Sequence, residues 1–174
     1  MSTVDDQFTD FVVAHERQLL RTAYLLAGDH GHAEDLVQTA LAKAHRHWAR
    51  VQQADSPLAY VRRVLVTSHV SWRRRLMTSE QVIETLPERP GDDPQLAHAI
   101  GDELREALRT LSPRVRAVLV LRFYEDLTEA ETARVLGCSA STVNTHATRG
   151  LATLRAQLRP ATPTPADLTH RRPS

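Results

Sequence analysis

A chain of 174 residues with 41% hydrophobic and 25% charged residues can form one ordinary domain or two small ones, and is neither collagenous nor wholly disordered. Its longest apolar runs fall far short of the roughly 20 residues that span a bilayer, and its N-terminus is acidic, so we expect a cytoplasmic protein with no signal peptide and no membrane insertion. The net charge of +1 excludes a uniformly basic or acidic chain.

Three amphipathic helices are predicted in the first part of the chain. Apolar residues recur every three or four positions over residues 8–26, and Gly28 then ends this helix. The same spacing recurs over residues 33–48, and Ser56-Pro57 provides the cap and first residue of a third helix. We therefore expect a small helical domain over residues 6–76.

The periodicity fades in residues 77–99, which contain three prolines and one glycine among scattered acids. This segment is predicted to be an acidic, flexible linker, and when extended it could reach about 75 Å. Residues 160–174 contain four prolines and no apolar stripe, which predicts a disordered tail.

A second helical domain is predicted over residues 100–159. Its first helix lies at about residues 102–110, and Ser112-Pro113 begins another that runs to about residue 124. The apolar run at residues 118–121 could equally form a strand, but the cap and the length favour a helix. The expected fold class is therefore all-α, with two small helical domains joined by the linker.

The end of this domain has the features of a helix-turn-helix. Thr128 and Glu131 form a capping box, Gly137 ends the short helix, and Ser139 caps a last long helix. A plain helical hairpin with a solvated polar face is the alternative. The residues predicted to be buried in the motif are Ala130, Ala133, Leu136, Val143, Ala147, Leu151, Leu154 and Leu158.

Charge is distributed very unevenly along the chain. Residues 56–79 contain 5 basic and no acidic residues, and residues 104–159 contain 9 basic and 5 acidic ones. Residues 1–55 and 80–103 are acidic, with 8 acids against 5 bases and 7 acids against 1 base. The two basic segments are candidates for contact with nucleic acid, although solvated helix faces would show the same charges.

Both domains resemble regions of one known family. Residues 104–158, which include LSPRVRAVLVLRFYEDLTEAETARVLGCSASTVNTHATRG, are similar to region 4 of the extracytoplasmic-function sigma factors of the sigma-70 family, in particular actinobacterial sigma-E-like members. Residues 6–76, with HAEDLVQTALAKAHRHW and SPLAYVRRVLVTSHVSWRRR, resemble region 2. The resemblance implies a factor that binds core RNA polymerase, directs initiation at promoter DNA, needs no cofactor and performs no catalysis. Anti-sigma factors are common partners in the family, although nothing in this chain reveals one.

The resemblance also assigns polymerase binding to the DLVQ element. In the family this element docks on the clamp helices of the largest polymerase subunit, which points to Asp35, Leu36 and Gln38, and above all to the two polar residues. Asp35 could instead be only a first-turn acid that the helix dipole favours.

The third helix corresponds to the part of the family that recognises and opens the minus-ten promoter element. The residues assigned to this role are Arg62, Arg63, Thr67, Ser68, Ser71, Trp72, Arg73, Arg74 and Arg75. Opening DNA requires cations that hold phosphates and surfaces on which unstacked bases lie. Tyr60 and Trp72 could stack on bases, but an aromatic residue at helical spacing is more often core, which is the expectation for Trp72. Thr67 stands where the family often has Asn, a departure that bears on the base read there.

Recognition of the minus-thirty-five element falls to the start of the last helix. The residues assigned there are Ser139, Ser141, Thr142, Asn144, Thr145 and Arg149, which can bond base edges and phosphates. Asn144 and His146 occupy positions where Lys or Arg is common in the family. We therefore expect weaker and less salt-sensitive binding than is usual.

Two other classes of protein fit the sequence less well. A dimeric operator-binding regulator would need only the second domain and has no use for the DLVQ element followed by a basic helix. A metal hydrolase could use some of the nine histidines, but the pairs His30/His32 and His45/His47 lack the HExxH spacing that places two ligands on one helical face. The lone Cys138 offers neither a disulfide nor a zinc knuckle. We expect no metal site and no catalytic residue.

Overall fold

The computed structural model describes residues 3–78 and 101–158, and the side chains of residues 76–78 are excluded from the description. Most of the predicted linker and the predicted tail therefore lie outside the described residues. Within the described ranges all regular structure is helical, so the strand alternative for residues 118–121 is wrong. The helices are α1 Val4–Ala27, α2 His30–Arg46, α3 Trp48–Val51, α4 Pro57–Thr78, α5 Asp102–Arg109, α6 Pro113–Leu119, α7 Glu129–Leu136 and α8 Ala140–Gln157.

Helices α1 to α4 form the first bundle, with the boundaries set by local caps. Thr3 opens α1, and Gly28 closes it in the left-handed conformation at φ 72°, donating its N–H to the carbonyl of Tyr24 at 2.8 Å. Asp29 then caps α2 through the N–H of His32. Helix α4 continues to Thr78, two residues beyond the predicted end of the domain.

The core of the first bundle lies between α1, α2 and α4. Apolar side chains spaced by three or four residues on each helix are buried there, including Leu19, Val37 and Leu65. The short helix α3 adds Trp48, whose ring lies 5.1 Å from Phe8 and 5.0 Å from Phe11 between centroids.

Helices α5 to α8 form the second bundle, in which α6 continues as a π-helical turn over Val120–Tyr124. The N–H of Glu125 bonds to the carbonyl of Val120, five residues back, at 2.9 Å. One extra residue in this turn changes the direction in which the following side chains point. The turn therefore determines where Glu125 is presented.

The helix-turn-helix consists of α7 and α8. The Thr128–Glu131 capping box and the Ser139 cap are confirmed, and Gly137 ends α7 at φ 65°. Two of the residues predicted to be buried are exposed, namely Ala130, which lies in the first turn of α7, and Leu158, which follows the end of α8.

Thr132 and Gly150 are buried in the motif instead. A methyl group on Gly150 would lie 2.8 Å from side-chain atoms of Leu119 and Val115, so the glycine lets α8 approach α6 closely.

The two bundles pack against each other and share one hydrophobic cluster. Leu26 and Val66 of the first bundle and Val118 and Leu121 of the second are all members of it. The sequence predicts two domains on a tether but gives no sign of this contact. The contact between the bundles matters for the candidate site because α4 takes part in it.

Candidate nucleic-acid interface

The start of α8 presents a polar, exposed face. Of the six residues predicted to contact the minus-thirty-five element, Ser139, Ser141, Asn144, Thr145 and Arg149 are exposed and Thr142 is half-buried. The structure therefore brings all six together on the first half of one helix. Part of their hydrogen-bonding capacity is used locally, because the Ser139 hydroxyl accepts from the N–H of Thr142 at 3.1 Å.

His146 adds no positive charge to this face at neutral pH. Its ring is half-buried, and burial, reinforced by the nearby Arg114 and Arg149, holds its pKa below the usual value of 6.5. Asn144 is also uncharged, and its side-chain oxygen accepts from the hydroxyl of Thr148 at 3.2 Å. Arg149 thus carries the positive charge among the six predicted contact residues.

Asn144→Lys is expected to make DNA binding more salt-sensitive. One added phosphate contact should steepen the plot of log affinity against log salt by about 0.9. Fluorescence anisotropy with duplex DNA over a salt series measures this slope. Ala152→Lys, which adds the same charge at an exposed position farther along α8, is the matched control, and an equal slope for wild type and Asn144→Lys would contradict the prediction.

Helix α4 has two different faces. At spacings of three and four residues, Arg62, Val66, His69 and Arg73 follow one side of it, where Val66 and His69 are buried. On another side the predicted contact residues Arg63, Ser71, Arg74 and Arg75 are exposed. The predicted minus-ten residues are therefore divided between a surface that DNA can reach and one that faces the protein.

Arg62 belongs to the side that faces the protein. Its Nε lies 2.6 Å from Oε2 of Glu125, which belongs to the second bundle, and the two side chains are 16% and 3% exposed. In this structure its guanidinium is paired with a carboxylate.

Arg73 and Trp72 lie in a partly buried cluster with two histidines. The rings of Trp72 and His32 are 3.8 Å apart between centroids, and His32 lies 5.9 Å from His69. Trp72 is half-buried, so it is neither a full core residue nor an open stacking surface. Burial lowers the pKa of Arg73, whose Cζ lies 5.8 Å from the centre of the Trp72 ring.

The two remaining predicted residues of α4, Thr67 and Ser68, are half-buried. The Thr67 hydroxyl donates to its own helix, at the carbonyl of Arg63 2.9 Å away. The Ser68 hydroxyl accepts from Nζ of Lys43, on α2, at 3.0 Å. Lys43 is a neighbour of the predicted site that the sequence did not single out.

The candidate polymerase surface lies on α2. Asp35 and Gln38 are exposed, but Leu36 is only 5% exposed and belongs to the core. Leu36 stays a predicted contact residue, but the structure places it in the core rather than at the surface. Its position on the apolar stripe of α2 places it inside the bundle, and the polar pair remains the candidate contact.

Two residues of the second bundle that reach the first bundle, and whose side chains are almost fully buried, were missed. Arg116 is buried and Glu125 nearly so, and each contacts a residue of the first bundle. In the sequence Arg116 is one of nine basic residues in a basic segment, and Glu125 is an acid in a short loop. Neither has a motif that distinguishes it.

No group of three or more His, Cys, Asp or Glu side chains that could hold a metal occurs among residues 3–75 and 101–158. His30 lies 3.4 Å from Glu34, and His45 lies 3.1 Å from Asp5, so members of the two histidine pairs contact different carboxylates. None of the helices that the structure describes is long and apolar enough to cross a membrane.

Comparison with known proteins agrees with this arrangement. Residues 11–77 match the family model for sigma-70 region 2, and residues 101–154 match that for sigma-70 region 4. The chain is 39% identical over 152 residues to the RNA polymerase sigma-E factor of Streptomyces coelicolor, covering 87% of this chain and 86% of the relative. It is 27% identical over 151 residues to sigma factor SigV of Bacillus subtilis, covering 84% and 88%.

A solved structure of the sigma factor RpoE of Bartonella quintana, in complex with the anti-sigma factor NepR, is similar in fold. The TM-score is 0.67 at 22% identity, over 90% of this chain and 99% of that one. Sigma-70 region 2 followed by sigma-70 region 4 is the domain order of a sigma-type initiation factor. The chain belongs to the extracytoplasmic-function group of the sigma-70 family of RNA polymerase sigma factors.

Proposed function

We propose that this sigma factor acts in the cytoplasm without catalysing a reaction, and that it uses three separate surfaces to start transcription. Asp35 and Gln38 contact core polymerase, the exposed side of α4 holds the minus-ten region, and the start of α8 reads the minus-thirty-five element. An anti-sigma factor is a further expected partner, since the RpoE structure that is similar in fold contains one.

The observation that carries this proposal is the separation of the surfaces on one chain. The exposed arginines Arg63, Arg74 and Arg75 lie on a helix without acids, and phosphates are attracted to such a surface at any sequence. The polar groups of α8 begin a recognition helix, the part of a helix-turn-helix that enters the major groove. Asp35 and Gln38 project from a different helix.

Transcription in vitro from a promoter library, with core polymerase in the presence and absence of the chain, tests the proposal. Selective initiation that depends on the chain is the expected result, and the selected promoters give the sequence preference. Initiation that is indifferent to the chain would refute the proposal.

Asp35→Arg is expected to weaken binding to core polymerase by about tenfold, the size of effect that corresponds to about 1.4 kcal/mol. Reversing the charge of an exposed contact group replaces attraction with repulsion at the interface. Asp10→Arg on α1 makes the same charge change at another exposed position and should leave binding unchanged. Titration of core polymerase with labelled full-length chain measures the affinity of both variants. Equal affinities would show that Asp35 does not contact the polymerase.

A further inference from the structure

Glu125 of the second bundle contacts two helices of the first bundle. Its Oε2 pairs with Nε of Arg62 on α4, and its Oε1 lies within hydrogen-bond reach of the Thr22 hydroxyl on α1. The carboxylate belongs to the second bundle, and both of its oxygens are engaged by the first. Thr22 is 1% exposed, so water competes little for this contact.

The backbone around Glu125 fixes this position. The π-helical turn directs its N–H to the carbonyl of Val120, and the N–H of Leu127 bonds to the carbonyl of Leu121 at 2.9 Å. Between them Asp126 has φ 57°, a conformation that few residues other than glycine adopt. An irregular turn that is held at both ends presents the carboxylate to α1 and α4 together.

Two further polar contacts join the same bundles. Arg116 donates from Nη1 to the carbonyl of Leu26 at 3.0 Å, and Arg105 donates from Nη1 to the hydroxyl of Tyr24 at 2.6 Å. Both acceptors lie near the end of α1. The contact between the bundles is thus built from specific polar groups as well as apolar ones.

This contact affects the two DNA surfaces unequally. The polar face of α8 is exposed, whereas Arg62 is paired and Arg73 is half-buried, close enough to Arg116 to influence its pKa. A carboxylate and a DNA phosphate compete for the same guanidinium, so Arg62 cannot serve both at once.

We propose that Glu125 is an autoinhibitory latch, which holds region 4 against region 2 and withholds Arg62 from promoter DNA until the two regions separate. The inference rests on the proposed function in assigning Arg62 to DNA. It adds that Glu125 and Thr22 are the residues that keep Arg62 covered, while the polar face of α8 stays exposed to minus-thirty-five DNA.

The distance between the regions tests the latch directly. Full-length chain is spin-labelled at the native Cys138 and at an introduced cysteine, Ala49→Cys, which lies on α3 at an exposed position. Glu125→Gln should shift the distance distribution toward longer values. Glu103→Gln, which removes the same charge from an exposed residue of α5, should leave the distribution unchanged.

DNA binding by the same variants supplies the functional readout. Glu125→Gln should bind a random-sequence single-stranded oligonucleotide about tenfold more tightly, a factor within the usual range for coupling between two sites. The gain in affinity for duplex DNA should be smaller, because the polar face of α8 is already exposed. Thr22→Val removes the second contact of the latch without changing charge and should act in the same direction. It keeps the test decisive if Glu125→Gln does not fold.

An unchanged distance distribution in Glu125→Gln and Thr22→Val would overturn the latch. A gain in single-strand affinity that Glu103→Gln shares would also overturn it, since that gain would come from net charge alone. These results do not depend on initiation by core polymerase, so failure of the latch and failure of the proposed function are distinguishable.

Discussion

Replacing Arg116 with Met is expected to lower the free energy of unfolding by about 4 kcal/mol, because several buried carbonyls would each lose a donor at a cost of about 1 to 3 kcal/mol. Arg116 is 4% exposed. Its guanidinium donates to four carbonyls at 2.8 to 3.1 Å, those of Leu26, Leu108, Arg109 and Leu111. Met fills much of the space of the stem but offers no donor.

The setting explains how a cation is tolerated at this buried position. Leu26 lies at the end of α1, and Leu108 and Arg109 lie at the end of α5, where the helix dipoles favour positive charge. Burial, with Arg73 and Arg109 nearby, lowers the pKa of Arg116 to about 10, so the guanidinium stays charged at pH 7.

Urea unfolding followed by circular dichroism measures the effect of Arg116→Met. Arg155→Met, at an exposed position on α8, removes the same charge and should change stability by no more than about 0.5 kcal/mol. Arg116→Lys keeps the charge but loses the planar fork of donors, and should fall between wild type and Arg116→Met. A loss below about 1 kcal/mol in Arg116→Met would mean that water or neighbouring groups satisfy these carbonyls.

The local features of the fold could be predicted because short-range chemistry determines them. The Thr128–Glu131 capping box, the turn at Gly137 and the Ser139 cap each depend on residues within a few positions of one another. Helical periodicity likewise identified most of the buried stripe of α8. It failed at Ala130, because burial within the first turn of a helix depends on the neighbouring helix as well as on spacing.

The contact between the bundles could not be predicted in this way. Periodicity shows which face of a helix is buried but not which helix covers it. A sum of charges, in turn, does not distinguish an exposed cation of a basic segment from a paired or buried one. Arg62 and Arg116 were counted as surface charges, yet one is paired with Glu125 and the other is buried on carbonyls. The sequence therefore overestimates how many cations are available to DNA in this structure.

Acidification from pH 6.5 to pH 5 is expected to lower the free energy of unfolding by about 2 kcal/mol through His69. His69 is 1% exposed, and neither of its buried ring nitrogens has a hydrogen-bond partner among the residues that the structure describes. Burial, with the neighbouring His32, Arg73 and Arg116, lowers its pKa from 6.5 to about 3. Above pH 6.5 the ring is neutral in both states, and the native state keeps its full stability. Between pH 6.5 and 3 the unfolded chain takes up a proton that the native ring does not, so stability falls with pH.

Urea unfolding at a series of pH values separates His69 from the other groups. His32 and His146 also have lowered pKa values and act in the same direction. Asp6 and Glu131, whose pKa values are lowered by hydrogen bonds from Thr3 and Thr128, protonate below their ordinary range and therefore outside this window. His69→Gln should flatten the decline, whereas His47→Gln, at an exposed position, should retain it. If His69→Gln loses stability with falling pH as steeply as wild type, the proton binds elsewhere. If the decline flattens in His69→Gln, the α4 surface that faces region 4 is the acid-sensitive part of the molecule.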